Sequence, residues 1–350
     1  MNLDDPRALA QVDPHDARGA LSGFPAQCRT ARTLAPDPPL RAVRPRVVVV
    51  AGVGGSAAGG DLLAACAGDA VDVPILVHRG YGLPALAGRD ALVIASSYSG
   101  ETAEALSAFD VAIARGAPVV AVTAGGALAR RAAETGRPRV RLPDGLMPRM
   151  ALGYLFLPAV TILAGAGVAV ATPGDVDEAL EVIETLAAKL RPECPTADNE
   201  AKRLALAIGE RLPVIYGGPT TGAVAYRWKT DVEENAKAFA LAGALPEMNH
   251  NEIEAWQASA AKEMYAVLLR DAGEAPEIAR RFDVLRELIT PTAGGVSEAR
   301  GRGVGRLARL LTLTYLGQWT SYYLAVLRDR DPWSVPILDE VKRRMRRPSP

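Results

Sequence analysis

The chain has 350 residues, 49% of them hydrophobic, which is enough for two domains of ordinary size with substantial cores. Lysine plus arginine and aspartate plus glutamate each total 40, so the net charge is zero, which argues against a broad surface for nucleic acid or anionic membrane. No stretch of about 18 apolar residues runs without Gly or Pro, so no membrane span is expected. The three cysteines follow no pair motif, which favours reduced thiols and a cytoplasmic location.

The first half of the chain alternates between predicted strands and helices. Residues 1–45, rich in Pro, Asp and Arg, are expected to form an N-terminal arm with one short helix around 8–20. Apolar runs then predict strands at 46–51, 74–77, 91–95, 118–122 and 140–142, with helices at about 56–66, 102–114 and 126–134. This alternation predicts a first subdomain over 46–171, built on a parallel, doubly wound sheet.

The second half is predicted to be a looser copy of the first. A charged helical stretch over 172–202 is expected to connect the halves. A strand then enters a glycine turn at 217–222, and a helix is expected over 221–240. A second strand at 265–269 and helices at about 276–288 and 304–327 complete a second subdomain over 203–350. The predicted fold class is therefore α/β, with two doubly wound subdomains.

Two turns of the first half suit a phosphate group. The segment 97–102 reads SYSGET and lies between a buried strand and a helix, so its hydroxyls accompany unpaired helix-start N–H groups. A glycine turn at 52–60 follows the first strand. Two such turns from one sheet predict a single phosphate held at a topological switch point.

The glycine turn leaves two alternatives open. Gly52, Gly54 and Ala57 satisfy the dinucleotide pattern G-x-G-x-x-A, although no acidic residue ends the second strand. Arg79 at that position could bind a 2′-phosphate, so an NADP-binding oxidoreductase is one alternative. A tight turn with no ligand is the other.

Several motifs resemble one family. GGS at 54–56 and SYSGET at 97–102 are similar to the phosphate loops of sugar isomerase (SIS) domains. ENAK at 234–237 and PEMNHNEI at 246–253 resemble the second half of the bifunctional phosphoglucose/phosphomannose isomerases, and FPAQ at 24–27 and PRMALGY at 148–154 fit that family as well. The resemblance spans about residues 20–345. It implies two SIS-type subdomains and an enediol isomerisation between glucose 6-phosphate or mannose 6-phosphate and fructose 6-phosphate.

Glu234 is the candidate base. The preceding carboxylate, Glu233, has Lys229 and Lys237 at helical spacing, so we expect it to form surface ion pairs. Glu234 lies on a partly apolar stripe with Arg227, where desolvation makes a carboxylate a better base. The resemblance implies that Glu234 abstracts the substrate proton.

Three further residues receive catalytic roles from the resemblance. It implies that His250 opens the sugar ring across a dimer interface, although a capping hydrogen bond beside Asn251 is the ordinary alternative. It implies that Arg149 steadies the charge of the intermediate, where a helix-start ion pair is the alternative. Lys342 matches a lysine near the sugar oxygens, but it lies in a basic run, KRRMRR at 342–347, whose ordinary role is a solvated helix end.

The remaining expectations concern ligands and partners. The phosphate is assigned to Gly55, Ser56, Ser97, Ser99 and Thr102, with Arg149 also contacting substrate. No cofactor is expected, and no metal, because the sequence offers no cluster of metal ligands. The expected partners are a hexose 6-phosphate and a second copy of the chain. A non-catalytic SIS protein that senses a sugar phosphate remains an alternative, although no helix-turn-helix domain is evident.

Overall fold

A computed structural model describes residues 2–345, so Arg346 and Arg347 of the basic run lie outside the described residues. The first half contains five strands: β1 (Val47–Ala51), β2 (Ile75–His78), β3 (Ala91–Ser96), β4 (Val119–Thr123) and β5 (Arg139–Arg141). They form one sheet in the order β2-β1-β3-β4-β5, and every neighbouring pair is parallel. The predicted α/β class with a doubly wound parallel sheet is confirmed.

The central strands of this sheet are buried on both faces. The helices that cover it are α4 (Gly55–Ala67), α5 (Ala103–Arg115), α6 (Gly126–Glu134) and α7 (Leu152–Gly165). Along β1, Val48 and Val50 face the core beneath α4 and α7, whereas Val47 and Val49 face the core beneath α5 and α6. Continuous runs of Val, Ile and Ala therefore form these strands, because no residue of either face needs to be polar.

The second half contains a smaller parallel sheet. Its strands are β6 (Leu212–Gly217), β7 (Leu241–Ala244), β8 (Met264–Arg270) and β9 (Val296–Arg300). Their order, β7-β6-β8-β9, repeats that of the first four strands of the larger sheet. Strands β7 and β9 were not predicted from the sequence, since the apolar residues of β7 follow directly on the helix expected over 221–240 and β9 contains two charged residues among its five.

The remaining helices are α8 (Pro173–Leu190), α9 (Glu200–Ile208), α10 (Gly222–Asp231), α11 (Pro276–Ile289), α12 (Arg306–Leu327) and α13 (Pro336–Met345). Helix α12 is buried along most of its length and packs against α8, α9 and α10. Its side chains join residues of both sheets, such as Ile94 and Val267, in one hydrophobic cluster. The two halves therefore share a core, and the domain boundaries proposed from the sequence stay a prediction.

The N-terminal segment differs from the expected arm with one helix. It forms α1 (Pro6–Val12), α2 (Ala17–Ser22) and α3 (Phe24–Ala31), and Leu9, Leu21 and Phe24 pack into the shared core. The single helix over 8–20 was wrong because buried Asp13 accepts hydrogen bonds from the N–H groups of Ala17 and Arg18 and so starts a new helix. Within residues 2–345, no helix has the length and hydropathy needed to span a membrane.

Candidate active site

The hydroxyl turn at 97–102 is closed by its own side chains. Ser97 is fully buried, and its Oγ lies 2.8 Å from the Thr102 Oγ1 while accepting the Gly100 N–H at 3.0 Å. Ser99 is exposed and accepts the Glu101 N–H at 3.3 Å. Thr102 is the N-cap residue of α5, but within the described part of the chain its side chain accepts no N–H of that helix. The first N–H groups of α5 can therefore bind a ligand.

The glycine turn lies against the hydroxyl turn. Ser56, in the first turn of α4, accepts the Tyr98 N–H at 3.1 Å through its Oγ, and its carbonyl accepts the Ser96 hydroxyl at 3.1 Å. Strands β1 and β3 are neighbours that separate β2 from β4, so both turns lie at the switch point of the sheet. The two predicted phosphate turns are therefore brought together.

Glu101 does not face this junction. Its Oε1 accepts the Ala127 N–H at the start of α6 at 2.9 Å and lies 3.7 Å from Arg130. A helix N-terminus and a cation thus occupy the carboxylate. The negative charge of Glu101 therefore does not prevent an anionic ligand from binding beside Ser97 and Ser99.

Arg149 connects the glycine turn to the second half. It lies in the 3-10 turn Pro148–Met150, which is packed so closely on α4 that a Cβ on Gly55 would lie 2.8 Å from the Arg149 N atom. The guanidinium is buried; its Nη1 lies 3.3 Å from the Glu234 Oε2, and its Nε donates to the Asn235 Oδ1 at 2.8 Å. Burial lowers the pKa of Arg149, and the Glu234 carboxylate opposes that shift.

The backbone that presents Glu234 is irregular. Helix α10 ends at Asp231, and the next turn, Val232–Ala236, is a π-helix. Lys237 then adopts a left-handed conformation with φ of +51°. The helix expected over 221–240 therefore ends early, and the wider turn re-aims its side chains, as π turns at functional sites commonly do.

This geometry corrects one expected ion pair. Glu233 pairs with Lys229 at 2.7 Å, as expected, but not with Lys237. Because of the left-handed turn, the Lys237 ammonium instead donates to the carbonyls of Asn235, at 3.2 Å, and Asp331.

A buried polar network supports Arg149. Asn235 donates from Nδ2 to the Ser321 Oγ of α12 at 2.9 Å, and Arg227 donates to the Arg149 carbonyl. Arg227 also pairs with buried Asp231 at 2.7 Å. Burial raises the pKa of Asp231 to about 6, although Arg227 acts in the opposite direction. The supporting role of Asn235 was not predicted from the sequence, where its place in the ENAK motif was the available signal.

His250 has no hydrogen bond or ion pair with the residues of this cluster among the described residues. Glu234 precedes β7 and His250 follows it; β7 pairs in parallel with β6 from Leu241 to Ala244, so the two residues lie at opposite ends of the strand. His250 is exposed at the end of the 3-10 turn Glu247–His250. Asn251 caps the next turn as expected, accepting the Glu252 N–H at 2.6 Å, but that turn is a 3-10 helix over Glu252–Gln257.

Lys342 is also outside the cluster. It is exposed on α13, with its Nζ 3.6 Å from the Asp339 Oδ1. The start of α13 lies closer: residues 335–338 line a cavity of about 570 Å³ together with Glu234 and Lys237. The structure thus brings the beginning of this helix beside Glu234, and the role of Lys342 stays a prediction.

Two further features concern other kinds of ligand. Arg79, considered for a 2′-phosphate, pairs with Asp61. Across residues 2–345, no three or more His, Cys, Asp or Glu side chains group in a way that could hold a metal ion.

Known proteins resemble this chain in sequence and structure. Residues 197–345 match a family model described as the bacterial phospho-glucose isomerase C-terminal SIS domain. The chain is 39% identical over 303 residues to a bifunctional phosphoglucose/phosphomannose isomerase of Caldicellulosiruptor bescii, covering 85% of this chain and 89% of the relative. A relative of the same description from Thermoplasma acidophilum is 32% identical, with coverage of 85% and 89%.

A solved structure shows the same fold. A glucose-6-phosphate isomerase-like protein of Thermus thermophilus superimposes with a TM-score of 0.63 at 22% identity, covering 98% of this chain and 99% of that one.

Proposed function

This chain belongs to the family of bifunctional phosphoglucose/phosphomannose isomerases, and from that premise we propose that Glu234, Arg149 and the turns at 54–56 and 97–102 form its active site. The chain is a phosphosugar isomerase, which sets aside the oxidoreductase and the non-catalytic alternatives. The observation that carries the site assignment is the placement of Arg149: its backbone packs on the phosphate-suited turn at Gly55, and its buried guanidinium contacts the Glu234 carboxylate.

The proposed phosphate cradle has donors to spare. The Ser56 Oγ accepts a backbone N–H, so its own hydroxyl hydrogen is free to donate. Ser97 and Thr102 share one hydrogen between their oxygens, so the other remains for the ligand. Ser99 and the backbone beside Gly55 complete the set, and the start of α5 adds a partial positive charge.

Among the contacts of the described residues, Arg149 keeps one donor free for the reaction. A guanidinium has five N–H groups. Nε binds Asn235, both hydrogens of Nη2 bind the carbonyls of Pro332 and Trp333 at 2.7 Å, and Nη1 contacts Glu234. The remaining Nη1 hydrogen is proposed to stabilise the developing negative charge of the enediolate.

The proposed reaction moves protons within an open-chain sugar. Ring opening transfers the proton of the O1 hydroxyl to the ring oxygen, for which we propose His250, assisted by Lys342. Glu234 then takes the proton from C2, which gives an enediolate with its charge beside Arg149, and returns a proton to C1. The hydroxyl hydrogen on O2 moves to O1, so an aldose becomes a ketose without gain or loss of atoms.

We expect Glu234→Gln to lower kcat by about 10²- to 10⁴-fold, because the amide cannot accept the C2 proton. Binding of fructose 6-phosphate, measured by calorimetry, should persist, since the phosphate turns are untouched. Glu233→Gln is the matched control and should retain wild-type kcat, because Glu233 pairs with Lys229. Wild-type turnover by Glu234→Gln would remove Glu234 as the base.

We propose that the chain acts on both glucose 6-phosphate and mannose 6-phosphate, as the names of its relatives state for those proteins. Coupled assays of the purified protein with each sugar, in the presence of EDTA, test the substrate range and the need for a metal together. We also propose a cytoplasmic location, since Cys28 and Cys66 are buried free thiols.

We further propose a homodimer in which His250 reaches the site of the neighbouring subunit. The position of Glu234 before β7 and of His250 after it supports this arrangement, because none of the contacts of the described residues joins the two side chains. Light scattering should report a dimer.

Subunit mixing tests the shared site. Homodimers of Glu234→Gln and of His250→Ala should each be inactive, but a heterodimer contains one site with both wild-type residues. Refolding the two variants together in equal amounts should therefore restore about a quarter of the wild-type activity, as random pairing in a two-fold dimer gives. Activity no greater than that of the separate variants would place His250 within its own subunit's site or outside catalysis.

A further inference from the structure

The segment 331–334 between α12 and α13, termed here the C-terminal strap, is held by two cations that flank Glu234. Arg149 donates from Nη2 to the carbonyls of Pro332 and Trp333, and Lys237 donates to the carbonyl of Asp331. The strap therefore crosses the site with three successive carbonyls bound. Charged donors form the stronger class of hydrogen bonds, so these contacts fix its position.

The backbone at Lys237 is unusual for a residue with a side chain. A π turn followed by a left-handed lysine combines two sparsely populated conformations, each of which is unfavourable for an ordinary residue. The combination directs the ammonium away from Glu233 and toward the strap. Unfavourable backbone conformations are retained mainly at functional sites, and here they place the Lys237 ammonium in contact with the strap beside Glu234.

Helix α13 depends on the strap for its placement. Within Pro336–Met345 no residue is buried, so the helix has little packing of its own to hold it. Its start nevertheless lines the cavity beside Glu234. The contacts that fix the strap therefore help to fix this wall of the cavity, together with the burial of Val335.

We propose that Lys237 is a positioning residue of the isomerase site: its ammonium holds the C-terminal strap against Arg149 and so sets the wall of the Glu234 cavity. This inference rests on the proposed roles of Glu234 and Arg149. Lys237 acts through the strap, which keeps both Nη2 hydrogens of Arg149 engaged and leaves Nη1 for Glu234 and the substrate.

The charges around Lys237 make the contact sensitive to pH. The charged groups near it are Arg149, Arg330, Glu234 and Asp331. Burial and the Arg149 cation lower the pKa of Lys237 to about 8. The Lys237 side chain is therefore protonated below that pH and loses its charge as the pH rises through it. The loss of charge weakens its hydrogen bond to the Asp331 carbonyl.

The test compares three variants by kinetics and by hydrogen exchange of residues 331–338. Lys237→Met should lower kcat about tenfold, the loss expected for one charge-assisted bond, and should speed exchange of the strap. Lys237→Arg should keep both near wild type and move the alkaline fall in kcat to higher pH. Lys229→Met, eight residues earlier on α10, should match wild type in every measurement.

Two results would overturn the inference: wild-type kcat and exchange in Lys237→Met, or reduced kcat with unchanged exchange of the strap. Hydrogen exchange requires no turnover, so this outcome is independent of whether Glu234 is the base. Full activity of Glu234→Gln would instead remove the proposed site and leave the structural contact of Lys237 standing. Lys237→Arg keeps the comparison available if the methionine variant fails to fold.

Discussion

Arg149 illustrates how the single residues of this site combine stability with chemistry. Its side chain is almost fully buried and four of its five N–H groups have protein acceptors. Asn235 is fixed in turn by Ser321 of α12, so a helix of the second half helps to set the orientation of the guanidinium. The guanidinium cannot rotate without leaving a buried polar group unpaired. The direction of the remaining Nη1 hydrogen is therefore fixed.

Gly100 should be the least replaceable residue of the phosphate turn. Its φ is +71°, and a Cβ would lie 1.8 Å from the Gly125 carbonyl oxygen. We expect Gly100→Ala to destabilise the protein by more than the roughly 1–2 kcal/mol of left-handed strain, because the turn must also move away from α6. Since Ser97 and Ser99 move with it, the KM for fructose 6-phosphate should rise in steady-state assays.

Gly82→Ala is the control for this prediction. Gly82 has a similar φ of +68°, but among residues 2–345 only its own chain neighbours come within 4 Å of the position that a Cβ would take, so only the strain remains. Urea unfolding should show a smaller loss of stability and the assays an unchanged KM. Equal effects of the two substitutions on stability and KM would mean that the contact with Gly125 has no role.

At the scale of elements, the sequence predicted what depends on local pattern. The strands β1, β3 and β4 were expected because they are uninterrupted apolar runs, which follows from burial on both faces. The phosphate turns were expected because hydroxyls and glycines stand where such strands end. The family inferred from these motifs is confirmed by relatives that match most of the chain.

Elements that depend on distant contacts could not be predicted in this way. β7 consists of Leu, Ala and Gly and β9 is largely polar, so both are poor in the β-branched residues typical of strands; each instead pairs along an edge of β6 or β8. The π turn at Val232–Ala236 follows a regular helix without any break in pattern. The hydrogen bonds between Arg149 and the strap join segments far apart in the chain, so no local sequence pattern predicts them. They depend on tertiary packing, including that of α12, whose Ser321 binds Asn235.

At the scale of the whole molecule, the N-terminal segment packs into the shared core and is bound to the rest of the chain by specific contacts. Lys202 of α9 is fully buried, and its ammonium donates to the Asp4 carboxylate at 2.8 Å and to the carbonyls of Pro192 and Cys194 at 2.7 and 2.9 Å. It also lies 5.5 Å from the ring centre of Tyr323 on α12. One side chain thus fastens the chain's beginning to the loop between the two halves.

We expect Lys202→Met to lower the free energy of unfolding by about 1–3 kcal/mol, because it leaves two partly buried carbonyls without their donor and removes the ion pair with the exposed Asp4 carboxylate. The kcat of the folded protein should be unchanged, since Lys202 contacts none of the proposed site residues in the described part of the chain. Urea unfolding and activity assays at neutral pH measure the two quantities. Lys189→Met, an exposed substitution on α8, is the control and should change stability by about 0.5 kcal/mol or less.

Acidification provides an independent check on the same contact. The hydrogen bond from Lys202 lowers the pKa of Asp4 below its ordinary value of 3.8 in the folded protein. A depressed carboxylate pKa stabilises the fold above the unfolded value, and that contribution is lost as the pH falls through the folded one. The stability gap between wild type and Lys202→Met should therefore narrow below about pH 4. A gap that stays constant through this range would mean that Lys202 stabilises the protein through the carbonyls and the Tyr323 ring, without the Asp4 charge.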